Sequence, residues 1–350
     1  MSMSGAPPQD SVPSYSTLVV GTGSIGERHV RCFQKTGRAQ VSVCESTPAV
    51  RERVAGAYDV RGAFADLDEA LDGRRYDVAV VATPAPLHVP MARRLVAHRC
   101  HVLVEKPLST SFDGIRELHA EVGRQGVTAA VAYVYRAHPA LRALRDALRS
   151  GEYGEPVEVV VTSGQHFPTY RPAYRGIYYA DPAQGGGALQ DGVTHALNAG
   201  EWCVGPVDEL VADLAHQVLP GVSVEDTVHL LTRHGRVRGS LTFNQYQAPN
   251  ETTFTIVCHD GTLRAEMSPS RLRIMREPDT AWEDREMPVG ERDDLYVAQA
   301  HAFLDAVEGR AEVLCTIQDA ARTLGVTLAA LRGAEGQTWL EPMWPGGDAT

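Results

Sequence analysis

The stretch Thr17-Leu-Val-Val-Gly-Thr-Gly-Ser-Ile-Gly26 decides the fold of the first half of this chain. Its first four residues form a short β-prone run, and a helical pattern follows its last glycine. In such a strand–turn–helix unit, Gly21 permits the tight turn, Gly23 lets the backbone approach a pyrophosphate, and Gly26 lets the helix pack on the strand. The stretch therefore predicts a dinucleotide-binding unit.

The dinucleotide predicted for this turn is NAD. The backbone N–H groups at the helix start, at Ser24 and Ile25, face its pyrophosphate. A second predicted strand, Gln40–Cys44, ends at Glu45, near the spacing of an acid that binds the ribose. A carboxylate there accepts hydrogen bonds from the ribose hydroxyls and repels a 2′-phosphate, which favours NAD over NADP. A solvated residue at a strand end is the alternative for Glu45, and Arg51 is placed to serve a phosphate instead.

Strands and helices alternate through the rest of the first half. The predicted segments are a helix over Asp66–Leu71, a strand over Asp77–Thr83, a helix over Pro86–His98, a strand over His101–Glu105, a helix over Ser111–Arg124 and a strand over Thr128–Ala132. This alternation predicts an α/β fold with a doubly wound parallel sheet, a Rossmann domain, over residues 16–136. Thr83, Pro84 and His88 follow the carboxyl end of a strand, where the nicotinamide half of the cofactor is expected.

The second half has a different pattern, in which β-rich stretches succeed one another through short turns. After a helix over Ala137–Ser150 they cover Val157–Gln165, Asp208–Gln217, Val224–Arg233, Arg238–Gln247, Thr252–His259 and Gly261–Met267, and helical segments over Asp293–Glu308 and Ile317–Arg332 follow. They predict a C-terminal α/β domain over residues 137–340 with a large, mainly antiparallel open sheet. Residues 1–15 show no leader signal and are predicted to be a disordered tail.

Two further motifs point to chemistry. Lys106, one of only two lysines, closely follows a predicted buried strand, and an ammonium, unlike a guanidinium, can exchange a proton. The second motif is Gly185-Gly-Gly-Ala-Leu-Gln-Asp-Gly-Val-Thr-His195, in which Asp191 and His195 are four apart and share one helix face. A carboxylate beside an imidazole is an acid/base arrangement, although an isolated pair at this spacing is more often an exposed surface pair. The glycines favour chemistry, because they imply that the backbone closely approaches a ligand or another element.

The composition limits the class of partner. Lys and Arg number 33 against 44 Asp and Glu, a net charge of −11, which argues against a general nucleic-acid binder because such proteins neutralise phosphates with basic residues. The six scattered cysteines form no C-x-x-C pair and indicate free thiols in a reducing compartment, with no metal site predicted. The apolar runs are too short to span a bilayer. We therefore expect a cytoplasmic protein that acts on a small molecule, without a membrane partner.

Together these motifs resemble the glucose–fructose oxidoreductase / inositol dehydrogenase / rhizopine catabolism (Gfo/Idh/MocA) family over nearly the whole chain. The motifs that carry the resemblance are Gly21–Gly26, Thr83-Pro84 with His88, Glu105-Lys106-Pro107, and Gly185–Gly187 with Asp191 and His195. The resemblance implies an NAD(P)-dependent oxidoreductase that transfers hydride between nicotinamide and a secondary carbon of a sugar or cyclitol. It also implies a homodimer or homotetramer packed through the C-terminal sheet.

The resemblance also assigns roles by position. His195 would take the hydroxyl proton, Lys106 would hydrogen-bond the same oxygen, and Asp191 would orient and tune both groups. Glu105 joins the turn residues, Glu45, Thr83, Pro84 and His88 as a predicted cofactor contact.

The same family lines its substrate pocket with the segment corresponding to Gln165–Tyr179, for which an interface or a structural loop is the alternative. Many relatives carry an acid three residues after the histidine, where this chain has Asn198, an amide that can still bind a hydroxyl. The residues predicted to contact substrate are Tyr135, Arg136, His166, Tyr170, Arg171, Tyr178 and Asn198.

The predicted substrate is a polyol or amino sugar. The resemblance adds a narrower hypothesis, an aminoglycoside-biosynthesis dehydrogenase, because relatives in this family that occur in actinomycete-like genomes, which the arginine-rich composition suggests, oxidise a hydroxyl of an amino sugar. The acidic net charge agrees with it, since an acidic protein attracts a polycation. Two different functions also fit the motifs. The first is a sugar oxidoreductase or glycosidase that keeps its cofactor bound, as some relatives do. The second is a catalytically silent nucleotide-binding regulator.

Overall fold

The computed structural model of the chain describes residues 14–278 and 280–333, so most of the predicted tail and the last residues of the predicted second domain lie outside the described residues. Tyr15, which the tail prediction included, already belongs to the first strand. None of the helices in these two ranges is long and apolar enough to cross a bilayer.

The first half forms a parallel sheet with helices between its strands. Its elements are β1 (Tyr15–Val20), α1 (Ser24–Lys35), β2 (Ala39–Cys44), α2 (Pro48–Ala57), β3 (Ala63–Phe64), α3 (Leu67–Leu71), β4 (Val78–Val81), α4 (His88–Ala97), β5 (His101–Val104), α5 (Ile115–Gln125) and β6 (Ala129–Val131). Within the described residues the strand order is β3-β2-β1-β4-β5-β6, with every pair parallel. The predicted doubly wound Rossmann sheet is confirmed, and the order reverses between β1 and β4, where such sheets bind ligands.

The second half forms a larger sheet. Its elements are α6 (Pro139–Arg149), β7 (Pro156–His166), α7 (Phe167–Tyr170), α8 (Thr194–Val204), β8 (Glu209–Ala215), β9 (Thr227–His234), β10 (Val237–Asn244), β11 (Tyr246–Cys258), β12 (Gly261–Met267), β13 (Ser270–Met275), β14 (Glu283–Glu286), α9 (Arg292–Val307) and α10 (Ile317–Gly333). The described order is β14-β13-β12-β11-β7-β10-β9-β8, in which β7 and β10 are parallel and the other neighbours antiparallel. The predicted mainly antiparallel sheet is confirmed.

One face of this C-terminal sheet is covered and the other is not. Along β9, β10 and β12 buried and more exposed residues alternate, which is the pattern of a sheet packed on one side. The buried side packs with α6, α8 and part of α10 in one apolar core that includes Leu241, Phe254 and Val326.

The last two helices return to the Rossmann domain. Phe303 and Leu304 of α9 share a core with strands of the parallel sheet, and Asp293 at its start pairs with Arg28 and Arg31 of α1. Helix α10 contributes Leu324 to the other core of that domain. A division of the chain at residue 136 therefore does not separate all the packing, and the two domains meet along a crevice.

Candidate active site

The glycine-rich turn after β1 has the shape that a pyrophosphate needs. Gly21 has φ of +84°, and a Cβ placed on Gly26 would lie 1.9 Å from the Gly21 carbonyl oxygen. At Gly23, in contrast, a Cβ would meet no atom within 4 Å. The turn is tight where α1 packs on the strand, at Gly26, and open above Gly23. The open space fits the nucleotide, whose phosphates would face the first N–H groups of α1.

Glu45, at the end of β2, is fixed in place as a hydrogen-bond acceptor. Its carboxylate accepts from the backbone N–H of Thr22 at 2.8 Å and of Thr47 at 2.9 Å. Burial would raise the pKa of Glu45, but these hydrogen bonds outweigh burial and lower it. Arg51 donates to the Glu45 carbonyl oxygen at 2.6 Å. A fixed, charged carboxylate at this position fits ribose hydroxyls.

The loops after β4 and β5 are joined by His88, a predicted cofactor contact. Its imidazole is 2% exposed, with Nδ1 2.8 Å from the Pro107 carbonyl oxygen and Nε2 2.7 Å from that of Thr83. Both ring nitrogens face carbonyl oxygens, so His88 holds the two loops together. Pro84 is exposed, and the buried Thr83 hydroxyl has no hydrogen-bond partner among the described residues.

Glu105 is buried and supports the loop that carries Lys106. It is 4% exposed, and its carboxylate lies 2.7 Å from His29 Nε2 and accepts from the Lys106 N–H at 3.0 Å. Burial would raise the pKa of Glu105, but the contacts with His29 and Lys106 lower it. His29 was not predicted, since its partner is 76 positions away and no local spacing marks it. The pair anchors the loop that carries Lys106.

Lys106 and Asp191 meet across the crevice. Lys106 Nζ donates to the Asp191 backbone oxygen at 2.6 Å and to its carboxylate at 3.0 Å, and the Tyr178 hydroxyl donates to the same carboxylate oxygen at 2.7 Å. Burial would raise the pKa of Asp191, but the Lys106 charge and these hydrogen bonds lower it. The carboxylate is thus charged and fixes the ammonium through a contact between the two domains.

His195 is enclosed by aromatic rings and not hydrogen-bonded to Asp191. Tyr135 stacks on it with ring centroids 4.8 Å apart, and Tyr133 meets it edge-on at 5.9 Å. Burial, followed by the Lys106 charge, lowers the pKa of His195 to about 3. Nδ1 has no partner among the described residues.

Asp191 acts on His195 through its charge, which raises the pKa of the imidazole against the larger effects of burial and of Lys106. Leu189–Val193 form a π-helical turn before α8, and that wider turn changes the register between the two side chains.

The three glycines bring the second domain close to the first, as expected. A Cβ on Gly185 would lie 3.3 Å from Ala85 Cβ, and Gly185 and Gly187 have φ of +88° and +93°. A Cβ on Gly187 would lie 2.5 Å from the Glu225 carboxylate. This backbone therefore approaches another element, and the approach aims Asp191 at Lys106.

Four predicted substrate residues lie between the end of β7, at His166, and the glycines. Tyr178 reaches Asp191 through its hydroxyl. Arg171 lies near the turn, with one guanidinium nitrogen 3.4 Å from the Ser24 hydroxyl. His166 contacts the Thr169 hydroxyl at 2.7 Å, and Tyr170 is exposed. The segment spans the mouth of the crevice from the active-site trio, Lys106, Asp191 and His195, to the nucleotide turn.

Arg136 and Asn198 do not face the crevice, contrary to prediction. Both are buried, and Arg136 Nε donates to the Asn198 side-chain oxygen at 2.7 Å. Arg136 also pairs with Asp319 at 3.0 Å, and Asn198 donates to the Thr323 hydroxyl at 2.9 Å. These residues tie α8 to α10, so the amide that replaces the acid of many relatives serves packing. No group of His, Cys, Asp or Glu able to hold a metal occurs within residues 14–278 and 280–333.

Comparisons with known proteins agree with this geometry. A family model described as oxidoreductase family, NAD-binding Rossmann fold, matches residues 15–133, and the Gfo/Idh/MocA C-terminal domain model matches residues 141–264. Inositol 2-dehydrogenase of Rhizobium meliloti is 22% identical over 90% of this chain and 95% of its own length. That of Rubrobacter xylanophilus is 33% identical, over 40% of this chain and only 41% of its own length. A levoglucosan dehydrogenase solved with NADH and levoglucosan has the same fold, with a TM-score of 0.85, 18% identity, and coverage of 94% of this chain and 99% of that one.

Proposed function

This chain belongs to the Gfo/Idh/MocA family of oxidoreductases, which act with an NAD-binding Rossmann domain, and we propose that it oxidises a secondary hydroxyl of a sugar, amino sugar or cyclitol. The observation that carries the proposal is the contact of Lys106, from the Rossmann domain, with Asp191 of the second domain. This contact fixes the Lys106 ammonium in the crevice beside the nucleotide turn, where the neutral imidazole of His195 also lies.

Each member of the trio has a separate task. Bound NAD supplies the acceptor for the hydride. The Lys106 ammonium would donate a hydrogen bond to the alcohol oxygen and stabilise its negative charge as the proton leaves, while Asp191 holds that ammonium in position. The buried imidazole of His195 is unprotonated at neutral pH and would accept the proton. General-base assistance of this kind contributes on the order of 10²- to 10⁴-fold.

One observation supports the narrower hypothesis, oxidation of an aminoglycoside precursor, and another opposes it. The net charge of −11 attracts a polycation over distance. At the crevice, however, Arg171 has no carboxylate partner among the described residues, its described contact being the Ser24 hydroxyl. Arg171 interacts with the Asp191 charge without forming an ion pair with it. Its guanidinium repels an amino sugar at short range, so a neutral polyol is the better-supported substrate.

A substrate panel tests the proposal. Neutral sugars, cyclitols and aminoglycoside pseudosaccharides are incubated with NAD or NADP at alkaline pH, and NADH formation is followed by absorbance for the wild type and for Lys106→Met. We expect turnover of a neutral polyol with NAD, loss of turnover in the variant, and NAD binding in both. Turnover of the pseudosaccharide alone would favour the aminoglycoside hypothesis.

The same preparation distinguishes a simple dehydrogenase from a cofactor-recycling enzyme and from a regulator. A nucleotide that stays bound through purification, with no net NADH released, favours a sugar oxidoreductase or glycosidase that recycles its cofactor. NAD binding without turnover of any substrate, together with unchanged biological activity in the Lys106 variant, favours a regulator.

A further inference from the structure

A second cavity, of about 480 Å³, opens between α6, α8 and the segment that leads into α10. We call it the arginine cavity, because Arg142, Arg145 and Arg149 of α6 line it. Their spacing of three and four residues puts them on one face of that helix. The active-site trio does not line the cavity, so it is separate from the crevice.

Arg145 is the most constrained of these arginines. Its guanidinium carbon lies 4.1 Å from the ring centroid of Trp202, and its Nε is buried without a hydrogen-bond partner among the described residues. Burial, followed by the charges of Arg149 and Arg136, lowers the pKa of Arg145. A cation crowded by two others, with a donor turned away from solvent, is destabilised unless an anion reaches it.

The acids around the cavity do not supply that anion. Asp319 is engaged by Arg136 at 3.0 Å. Glu201 accepts from the Thr323 hydroxyl at 2.6 Å, and burial raises its pKa to about 7, so half of its charge is lost near neutral pH. Asp146 and Glu312 also line the cavity, but both are exposed and neither has a described ion pair with an arginine of α6. The Asp146 charge raises the pKa of Arg145, but by less than burial and the two neighbouring arginines lower it.

We propose that the arginine cavity binds a small anionic metabolite through its phosphate or carboxylate groups. Guanidinium groups match both kinds of anion with paired N–H donors, and three of them on one helix face supply a larger set of donors than one ion pair. The volume exceeds what a single inorganic ion fills and lies in the range of small-molecule sites, about 300–1,000 Å³. The ligand would therefore carry two or more anionic groups.

Calorimetric titration tests this site, with citrate as the polycarboxylate probe and inorganic phosphate as the phosphate probe. Saturating NAD blocks the nucleotide turn, and ionic strength is held constant with NaCl. The proteins are the wild type, Arg145→Gln, Arg149→Gln and, as a matched control, Arg116→Gln, which removes an exposed arginine of α5 outside the cavity. Arg149 is exposed as well, so its substitution leaves the fold intact.

We expect saturable binding of at least one probe by the wild type and the control. The Kd of that probe should be at least about tenfold higher in each cavity variant than in the wild type, the equivalent of about 1.4 kcal/mol. The stronger probe identifies which anionic group the site prefers. Absence of saturable binding of both probes, or equal Kd values in the wild type and the two cavity variants, would overturn the proposal.

Discussion

His195 is a histidine whose protonation is set by its surroundings. Burial, followed by the Lys106 charge, lowers its pKa to about 3, against about 6.5 for an exposed imidazole. Because the neutral form is the base, lowering the pH from 8 to 5 should not remove it. We expect the acid limb of kcat/KM for alcohol oxidation to have its midpoint below pH 5, as measured by initial rates in constant-ionic-strength buffers. A midpoint between pH 6 and 7 that disappears in His195→Asn would show that the imidazole is solvated in the working enzyme.

Tyr178 supports the same site through one hydrogen bond. Its hydroxyl donates to Asp191, so Tyr178→Phe leaves that carboxylate with Lys106 alone and frees it to move. We expect kcat to fall about tenfold, the equivalent of about 1.4 kcal/mol of transition-state stabilisation, with the Kd for NAD unchanged by fluorescence titration. Tyr58→Phe is the matched control. It also removes a tyrosine–carboxylate hydrogen bond, to Glu27, but in the Rossmann domain and not at Asp191. Equal losses in the two variants would contradict a specific role for Tyr178.

At this scale sequence reasoning finds residues more readily than it finds their contacts. Lys106, Asp191 and His195 are marked by short motifs, and all three lie at the crevice. The directions of Arg136 and Asn198 depend on how α8 meets α10, which no local pattern encodes, and the prediction placed both in the wrong environment. His29 was missed for the same reason, since it matters only through a partner 76 positions away.

The strand–turn–helix element at the start of the chain separates two kinds of glycine. A methyl group on Gly26 would collide with the Gly21 carbonyl oxygen, whereas one on Gly23 meets only open space. We expect Gly26→Ala to lower the free energy of unfolding by about 1–3 kcal/mol, the usual cost of overpacking. Gly23→Ala should leave stability nearly unchanged and weaken NAD binding at least tenfold, because the methyl fills the space for the phosphates.

Urea denaturation and NAD titration of the same two variants measure both effects. Gly56→Ala in α2 is the control, since a Cβ there also meets no atom within 4 Å, and alanine in a helix interior is favoured over glycine by about 0.5–1 kcal/mol. Undiminished NAD affinity in Gly23→Ala would mean that the nucleotide does not lie over this turn.

Elements with a clear period were predicted well, and the others were missed for identifiable reasons. The alternation of β1 to β6 with helices is visible in the sequence, whereas β3 has only two residues and carries almost no signal. Strand β14 consists of four exposed charged residues, and such a composition does not mark a strand. The π-helical turn before α8 is hidden because its sequence is compatible with an ordinary helix.

On the scale of the whole molecule, the uncovered face of the C-terminal sheet predicts self-association. No helix among residues 14–278 and 280–333 packs on that face, and Leu231 of β9 is 53% exposed there. Leu231 lies on this face among mainly polar and charged side chains, such as those of Arg238 and Thr242 on β10. A broad, uncovered sheet face is suited to an isologous contact, in which two copies bury the same surface. We therefore propose a homodimer or homotetramer assembled through this face, in keeping with the resemblance that the sequence shows.

Leu231→Arg tests that assembly, because in a symmetric contact one substitution places two like charges near each other and removes apolar area from both copies. Light scattering after size-exclusion chromatography should give a multiple of 37.9 kDa for the wild type and a shift toward 37.9 kDa for the variant. Val218→Arg is the control, since Val218 is 54% exposed but lies in the loop between β8 and β9, outside the sheet. A wild type that is already monomeric, or a Leu231 variant with unchanged mass, would show that this face is not the contact, and the crevice would then be complete within a single chain.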